Sequence, residues 1–156
     1  MRPVGNTLRA APRILNPVVH AYERRLTRYG PTAQGVFWKN KEWQFRRYVI
    51  LEGIFDDLAQ AGGITIHDFG CGYGSLFEYL VDKEVMKSSR YTGTDMSQGM
   101  INAAKSRHQD PRAHFVRGVT ARQTADYTIV SGTYNMHMGA DEEEWYEYIQ
   151  ASLKQL

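Results

Sequence analysis

Eight consecutive residues, His67-Asp68-Phe69-Gly70-Cys71-Gly72-Tyr73-Gly74, carry the strongest chemical signal in the sequence. They follow the β-branched run Ile64-Thr65-Ile66 and precede a helical stretch, the setting that a nucleotide-binding turn requires. Glycines at alternate positions let the backbone turn tightly and come close to a ligand with no Cβ in the way. The same pattern also serves as a plain tight connection, so a second feature is needed. A dinucleotide calls for glycine where Ser75 stands, and a phosphate-cradling loop calls for a Gly-Lys-Ser/Thr ending, which is absent. An Asp68 carboxylate aimed at the turn would repel pyrophosphate. It suits a ligand with a cationic ammonium and no phosphate.

The second feature is Tyr91-Thr92-Gly93-Thr94-Asp95-Met96-Ser97, a short strand ending in an acid one βαβ unit later. A carboxylate there can accept both hydroxyls of a ribose, and the Met96 thioether offers a soft contact for an adenine face. Asp95 could instead cap the next helix, a role that Ser97 could equally fill. A ribose, an adenine and an ammonium without phosphate together describe S-adenosylmethionine.

Other reactive residues are weaker. His67 neighbours Asp68 in a strand, so the two side chains point to opposite faces and His67 reads as a packed histidine. Cys71 has no base near it in sequence, and its backbone N–H is of more use in the turn than its thiol. His137 lies in Gly132-Thr133-Tyr134-Asn135-Met136-His137-Met138, beyond the carboxyl end of a strand, where open α/β sheets place their ligands. It is a candidate general base or an exposed loop histidine.

These residues need a frame. From residue 62 onward, β-branched or aromatic runs alternate with helical stretches: ITIHDF, SLFEYLVDKEVM, YTGTD, QGMINAAKSRH, AHFVRG, DYTIVSGTY, then an acidic helix from Asp141. That rhythm predicts an α/β fold with a parallel sheet and helices on both faces. Asp141 with Glu144 resembles a capping box, and Trp145, Tyr148, Ile149 and Leu153 give the last helix its apolar stripe. Residues 1–61 are expected to form an arm and cap helices. The first fifteen or so read as a loose arm, and Asn16-Pro17 as a helix start. A second helix is expected from about Trp38 to Gln60, with Trp43, Arg47, Ile50, Leu51, Ile54 and Leu58 on its apolar face. Residues 62–156 form the core, either as a separate part or as one unit with the helices.

Composition sets limits on function. The chain of 156 residues can bury a sizeable core. It holds no apolar run near the roughly 20 residues needed to cross a bilayer, and its N-terminus lacks a secretory h-region. One cysteine excludes an internal disulfide framework and a multi-cysteine zinc site, so no metal and a cytoplasmic setting are expected. Net charge is +2 but uneven: residues 1–50 carry ten Arg or Lys against Glu23 and Glu42. Such asymmetry can mark an arm for nucleic acid or membranes. Because the basic residues are interleaved with apolar ones, the plainer expectation is a solvated or internally paired face, with neither partner.

Asp68-Phe69-Gly70-Cys71-Gly72-Tyr73-Gly74 resembles the first motif of class I (Rossmann-like) S-adenosylmethionine-dependent methyltransferases. Thr94-Asp95-Met96-Ser97 resembles that family's second motif. Phe115-Val116-Arg117-Gly118-Val119-Thr120 is similar to its third-strand segment, and Asp126-Tyr127-Thr128-Ile129-Val130-Ser131 to its fourth strand. The resemblance covers roughly residues 60–156. It implies cofactor binding by Asp68, Gly70, Cys71, Gly72, Gly74, Asp95 and Met96, with Ser131 under the methionine end. Val119-Thr120 stands where the family usually has an acid, so Thr120 or a backbone group would meet the adenine. Gly35-Val36-Phe37-Trp38 could form an aromatic lid over the sulfonium, and Arg46 or Arg47 could meet the cofactor carboxylate.

The implied activity is in-line methyl transfer to a small-molecule acceptor. A nucleotide- or NAD-binding domain and a non-catalytic binding protein are the alternatives. The family's sheet is larger than the four strands counted here, so the fold is expected to be truncated after the fourth strand and its helix. That would leave residues 126–134 as a sheet edge able to pair with a second copy.

Overall fold

The structure, a computed structural model, describes residues 4–60, 62–121 and 123–156. Four strands, β1 (Thr65–Phe69), β2 (Arg90–Asp95), β3 (Ala113–Arg117) and β4 (Tyr127–Val130), form one parallel sheet in the order β3-β2-β1-β4. Each lies within a run rich in β-branched or aromatic residues. The chain steps outward from β1 through α4 (Ser75–Leu80) to β2 and through α5 (Gln98–Arg107) to β3. It then returns to lay β4 against the other side of β1. This reversal makes β1/β4 a switch point, where an open α/β sheet leaves a crevice beyond its strand ends. Phe69 pairs with Thr94 of β2 and Val130 of β4, so the loops after these three strands open at one place.

Alternation along β1 sends Ile66 and Asp68 to one face of the sheet, His67 and Phe69 to the other. Ile66, Tyr91, Phe115 and Ile129, one from each strand, join a core with Leu76, Phe77, Leu80, Val85 and Met86. In a second cluster, Ala11, Ile14, Leu15 and Val18 of α1 (Val4–Tyr29) pack on Trp145 and Tyr148 of α6 (Glu142–Leu153). Asp141 caps α6 as expected, accepting the Glu144 amide at 3.0 Å, but Leu153 of the expected stripe is 52% exposed.

Three expectations need correction. The supposed loose arm belongs to α1, which runs from Val4 straight through Pro12 and Pro17. Each interior proline costs about 3 kcal/mol. Buried side chains contribute about 1.5–3 kcal/mol apiece, so the face packed on α6 outweighs that cost. The single helix over 38–60 is instead α2 (Lys41–Glu52) and a short α3 (Asp57–Gln60), separated by a turn at Gly53. Asn40 starts α2 by accepting the Trp43 amide at 3.0 Å.

The inward face of α2 is also not the one its hydrophobicity indicates. Gln44 and Tyr48 are buried and Leu51 of the expected stripe packs against the core, whereas Trp43, Ile50 and Ile54 are 48%, 75% and 45% exposed. The Leu58 side chain, assigned to the same stripe, lies outside the described residues. Gln44 and Tyr48 can go inside because both find hydrogen-bond partners there.

Candidate active site

A cavity of about 520 Å³ opens beyond the carboxyl ends of β1, β2 and β4, within the range of small-molecule sites. Its floor is the turn after β1. Gly70 and Cys71 both donate their amides to Thr94 O, at 2.7 and 3.1 Å, and the Gly74 amide goes to Cys71 O at 3.0 Å. Gly72 donates to the Asp95 carboxylate at 2.9 Å. These four amides are therefore committed within the protein.

Two glycines answer to close approach. At Gly70, φ +85°, a Cβ would meet the Thr133 hydroxyl, which donates to Phe69 O at 2.7 Å and joins the β4 loop to the turn. At Gly74, φ +82°, a Cβ would sit 2.8 Å from the His108 ring and 3.0 Å from Phe115. Gly74 is thus a packing glycine at the start of α4 and does not line the cavity.

Asp95 closes one wall. Its second oxygen accepts the Ser97 amide at 2.9 Å, and Ser97 itself caps α5 through the Met100 amide at 3.2 Å. Asp95 is thereby released from the capping role. Burial pushes its carboxyl up, and the Ser97 and Gly72 amides pull it back down. Each carboxylate oxygen has lone-pair capacity beyond the amide it holds. Tyr22 of α1 also lines the cavity, and burial together with the Asp95 charge pushes its phenol up to about 12. Met96 and Gly118 complete this end.

At the other end stands Ser131. Its hydroxyl is buried without a hydrogen-bond partner, an orphan that a ligand polar group would satisfy. The third wall comes from the N-terminal segment through Val36, Phe37, Trp38 and Arg47. Phe37 adopts φ +65°, with Tyr22 edge-on at 5.0 Å and the Arg25 guanidinium 4.3 Å from its ring. Arg47 is exposed, stands 5.4 Å from the Trp38 ring and has no ion pair among the described residues. An orphaned hydroxyl, an acid with spare acceptor capacity and an aromatic-lined wall suit a cationic adenosine-bearing ligand such as S-adenosylmethionine.

Other expected site residues lie elsewhere. Asp68 is buried on the core side of β1, where the Tyr91 hydroxyl donates to it at 2.5 Å; burial pushes its carboxyl up to about 7. It forms no part of the cavity wall, because strand alternation sends it into the core. Thr120 lies beyond Gly118 and outside the wall. His137 is absent from the wall too, its Nδ1 held 3.1 Å from Ala140 O. Cys71 lines the cavity, but burial raises its thiol well above the usual range, so it stays protonated. His67 packs with Nε2 3.0 Å from the Thr94 hydroxyl.

The structure adds a buried polar group that the sequence reading missed. Gln44 donates to the Ser75 hydroxyl at 2.8 Å, Tyr73 donates to Gln44 at 2.9 Å, and the Tyr48 and Ser75 hydroxyls meet at 2.5 Å. All four residues border the cavity. The available signal was the i, i+4 pair Gln44 and Tyr48, which flanks the apolar stripe on the side of Leu51. Gly93 was missed as well: its absent Cβ leaves room for Cys71, whose sulfur would otherwise lie 2.8 Å away.

Comparison with known proteins adds an independent line. The model of a family described as a methyltransferase domain matches residues 67–155. A Mycobacterium tuberculosis protein named provisionally as a methyltransferase is 37% identical over 97 residues, 62% of this chain and 57% of that protein. The phthiotriol/phenolphthiotriol dimycocerosates methyltransferase of the same organism is 37% identical over 57 residues, 36% of this chain and 20% of its own length. The chain therefore matches well under two thirds of the length of either relative. The crystal structure of magnesium protoporphyrin IX methyltransferase from Synechocystis PCC 6803, solved with bound S-adenosylmethionine, superposes with a TM-score of 0.53 at 17% identity. It covers 70% of this chain and 53% of that one, a likeness of fold.

Proposed function

The chain belongs to the class I S-adenosylmethionine-dependent methyltransferases, and on that premise we propose that its cavity holds S-adenosylmethionine for in-line methyl transfer to a small-molecule acceptor. The observation that carries this reading is Asp95, a cavity-wall carboxylate already fixed by two backbone amides and with acceptor capacity left for two ribose hydroxyls. The committed amides of the glycine turn argue in the same direction. Gly70, Cys71, Gly72 and Gly74 spend their N–H groups on Thr94 O, Asp95 and Cys71 O, so the turn is a poor cradle for the pyrophosphate of NAD.

When bound, the cofactor supplies an electrophilic methyl group on a sulfonium. The protein's part is to align, shield and desolvate. Asp95, with Met96 beside it, would hold the adenosine half across the ends of β1 and β2. The Ser131 hydroxyl would take a polar group at the methionine end, and Arg47 at the mouth could meet a carboxylate through a charge-assisted pair. Phe37 and Trp38 form an apolar rim that excludes water, and their ring faces attract positive charge. Tyr22 remains a neutral phenol at neutral pH, able to donate a hydrogen bond but not to act as a ready base. Among the described residues the cavity wall includes no histidine, so an acceptor that is already nucleophilic fits best.

Calorimetric titration with S-adenosylhomocysteine, S-adenosylmethionine, NAD and ATP tests the assignment. The first two should bind and the last two should not. Tighter binding of NAD than of S-adenosylhomocysteine would sink it.

A further inference from the structure

The outer face of α2 is unusual for an exposed helix. Trp43 and Ile50 lie on one stripe with Ile54 just past the helix end, and Arg46 and Arg47 stand among them. Gln44, Tyr48 and Leu51 face inward, so Trp43, Ile50 and Ile54 are left exposed among the described residues. Contiguous exposed apolar surface on a folded domain marks a place where something docks.

The charges around the stripe say what. Lys39 and Arg46 stand 5.9 and 5.5 Å from the Trp43 ring. Glu42 lies 3.8 Å from Arg46 and Glu52 3.1 Å from Lys83, so Lys39 and Arg47 are the cations of this face without an ion pair among the described residues, while exposed Asp56 and Asp57 lie beyond Ile54, past the helix end. A phosphate backbone would match the cations and leave Ile50 and Ile54 unburied. An anionic bilayer surface answers both features, because acidic headgroups lie directly above an apolar layer in which tryptophan is favoured. We infer that this protein docks on an anionic lipid surface through the outer face of α2, with Trp43, Ile50 and Ile54 entering the interfacial layer.

Docking in this way brings the cavity mouth to the membrane. Arg47 belongs to both places: it lies on the stripe between Trp43 and Ile50, and it lines the cavity with Trp38. The helix lies on the bilayer rather than across it, consistent with no helix among the described residues being long and apolar enough to span.

The test is sedimentation of the full chain, without cofactor, with phosphatidylglycerol–phosphatidylcholine vesicles and with phosphatidylcholine alone. Binding should be at least about tenfold tighter to the anionic vesicles and should weaken with salt. Ile50→Glu and Trp43→Ala should each lower it by at least about fivefold while leaving the thermal midpoint in place, since both side chains are about half exposed or more. Ile54→Ser serves as a second apolar variant should Ile50→Glu fail to fold. Trp43 emission should shift to the blue on binding, a shift that Trp43→Phe removes. Failure to sediment with anionic vesicles overturns the proposal, as does equal sedimentation of folded Ile50→Glu. A concentration-dependent dimer abolished by Ile50→Glu, without vesicle binding, overturns it in favour of self-association. S-adenosylhomocysteine affinity, measured separately, reports on the methyl-transfer reading alone.

Discussion

The Asp95 carboxylate and the Gly72 amide meet at 2.9 Å, so one hydrogen bond ties the end of β2 to the turn after β1. The Ser97 amide holds the other oxygen of the same carboxylate. A ligand lying across both strand ends therefore meets a wall whose geometry is set before it arrives. Preorganisation of this kind lowers the entropy cost of binding.

Replacing Asp95 tests that wall. Asp95→Ala should weaken S-adenosylhomocysteine binding by about tenfold or more, since each hydrogen bond to a charged acceptor is worth about 1.5–3 kcal/mol. It should also lower the thermal midpoint, because the Gly72 and Ser97 amides lose their acceptor. Asp95→Asn should fall between the two. A lowered midpoint with an unchanged dissociation constant would reduce Asp95 to a support for the turn.

Gly74→Ala should act on stability and leave the cavity wall intact. The new methyl would enter space held by His108 and Phe115, at a left-handed φ that a non-glycine residue adopts at a cost. Overpacking of this kind costs about 1–3 kcal/mol, a fall in melting temperature of about 2–4 °C for each kcal/mol. An unchanged melting temperature would contradict the packing assigned to Gly74.

The strands and the glycine turn were legible because their signals are local. Ile64-Thr65-Ile66 before Gly70 and Thr94 before Asp95 each have the right residues in the right order, and β1 and β2 form there. What escaped the sequence was decided at a distance. The first fifteen or so residues read as a loose arm and Asn16-Pro17 as a helix start, and only contact with Trp145 and Tyr148 of α6 explains one helix that runs through Pro12 and Pro17. Gln44 and Tyr48 were not among the residues of the expected apolar face, and it is Ser75 and Tyr73, some thirty residues away, that satisfy their polar groups in the interior. Asp68 occupies its expected position in the strand, but its environment is Tyr91 rather than a ligand.

That environment makes Asp68 a pH-dependent element. Its folded carboxyl, pushed up to about 7 by burial, lies above the unfolded value of 3.8. Between these values the unfolded chain binds fewer protons than the folded one, so the Asp68 contribution to stability falls as pH rises from about 4 to 7 and is flat beyond. Asp68→Asn stays neutral and can still accept from Tyr91. Denaturant unfolding of both proteins across this range should show the variant gaining on the wild type with rising pH. A constant difference would mean that Asp68 titrates normally.

The last prediction concerns the far side of β4. Tyr127–Val130 pair with β1 along one edge, and no described strand lies against the other. Ile129 is buried and the Tyr127 ring packs on Phe55 at 5.1 Å, so β4 is anchored to the core. Unpaired N–H and C=O groups on such an edge are a template for another strand. Charge is the usual protection, and the strand itself, Tyr127-Thr128-Ile129-Val130, carries none. Residues 1–156 expressed alone should therefore self-associate through this edge. Light scattering over a dilution series should show a mass that falls with concentration, and amide exchange at Tyr127–Val130 should slow as association proceeds. Thr128→Lys should return the protein to a monomer with its fold intact, since Thr128 is partly exposed and a lysine can reach solvent from there. A protein that is monomeric at all concentrations, with these amides strongly protected, would mean that the edge is already covered from within and that the strand order is wrong.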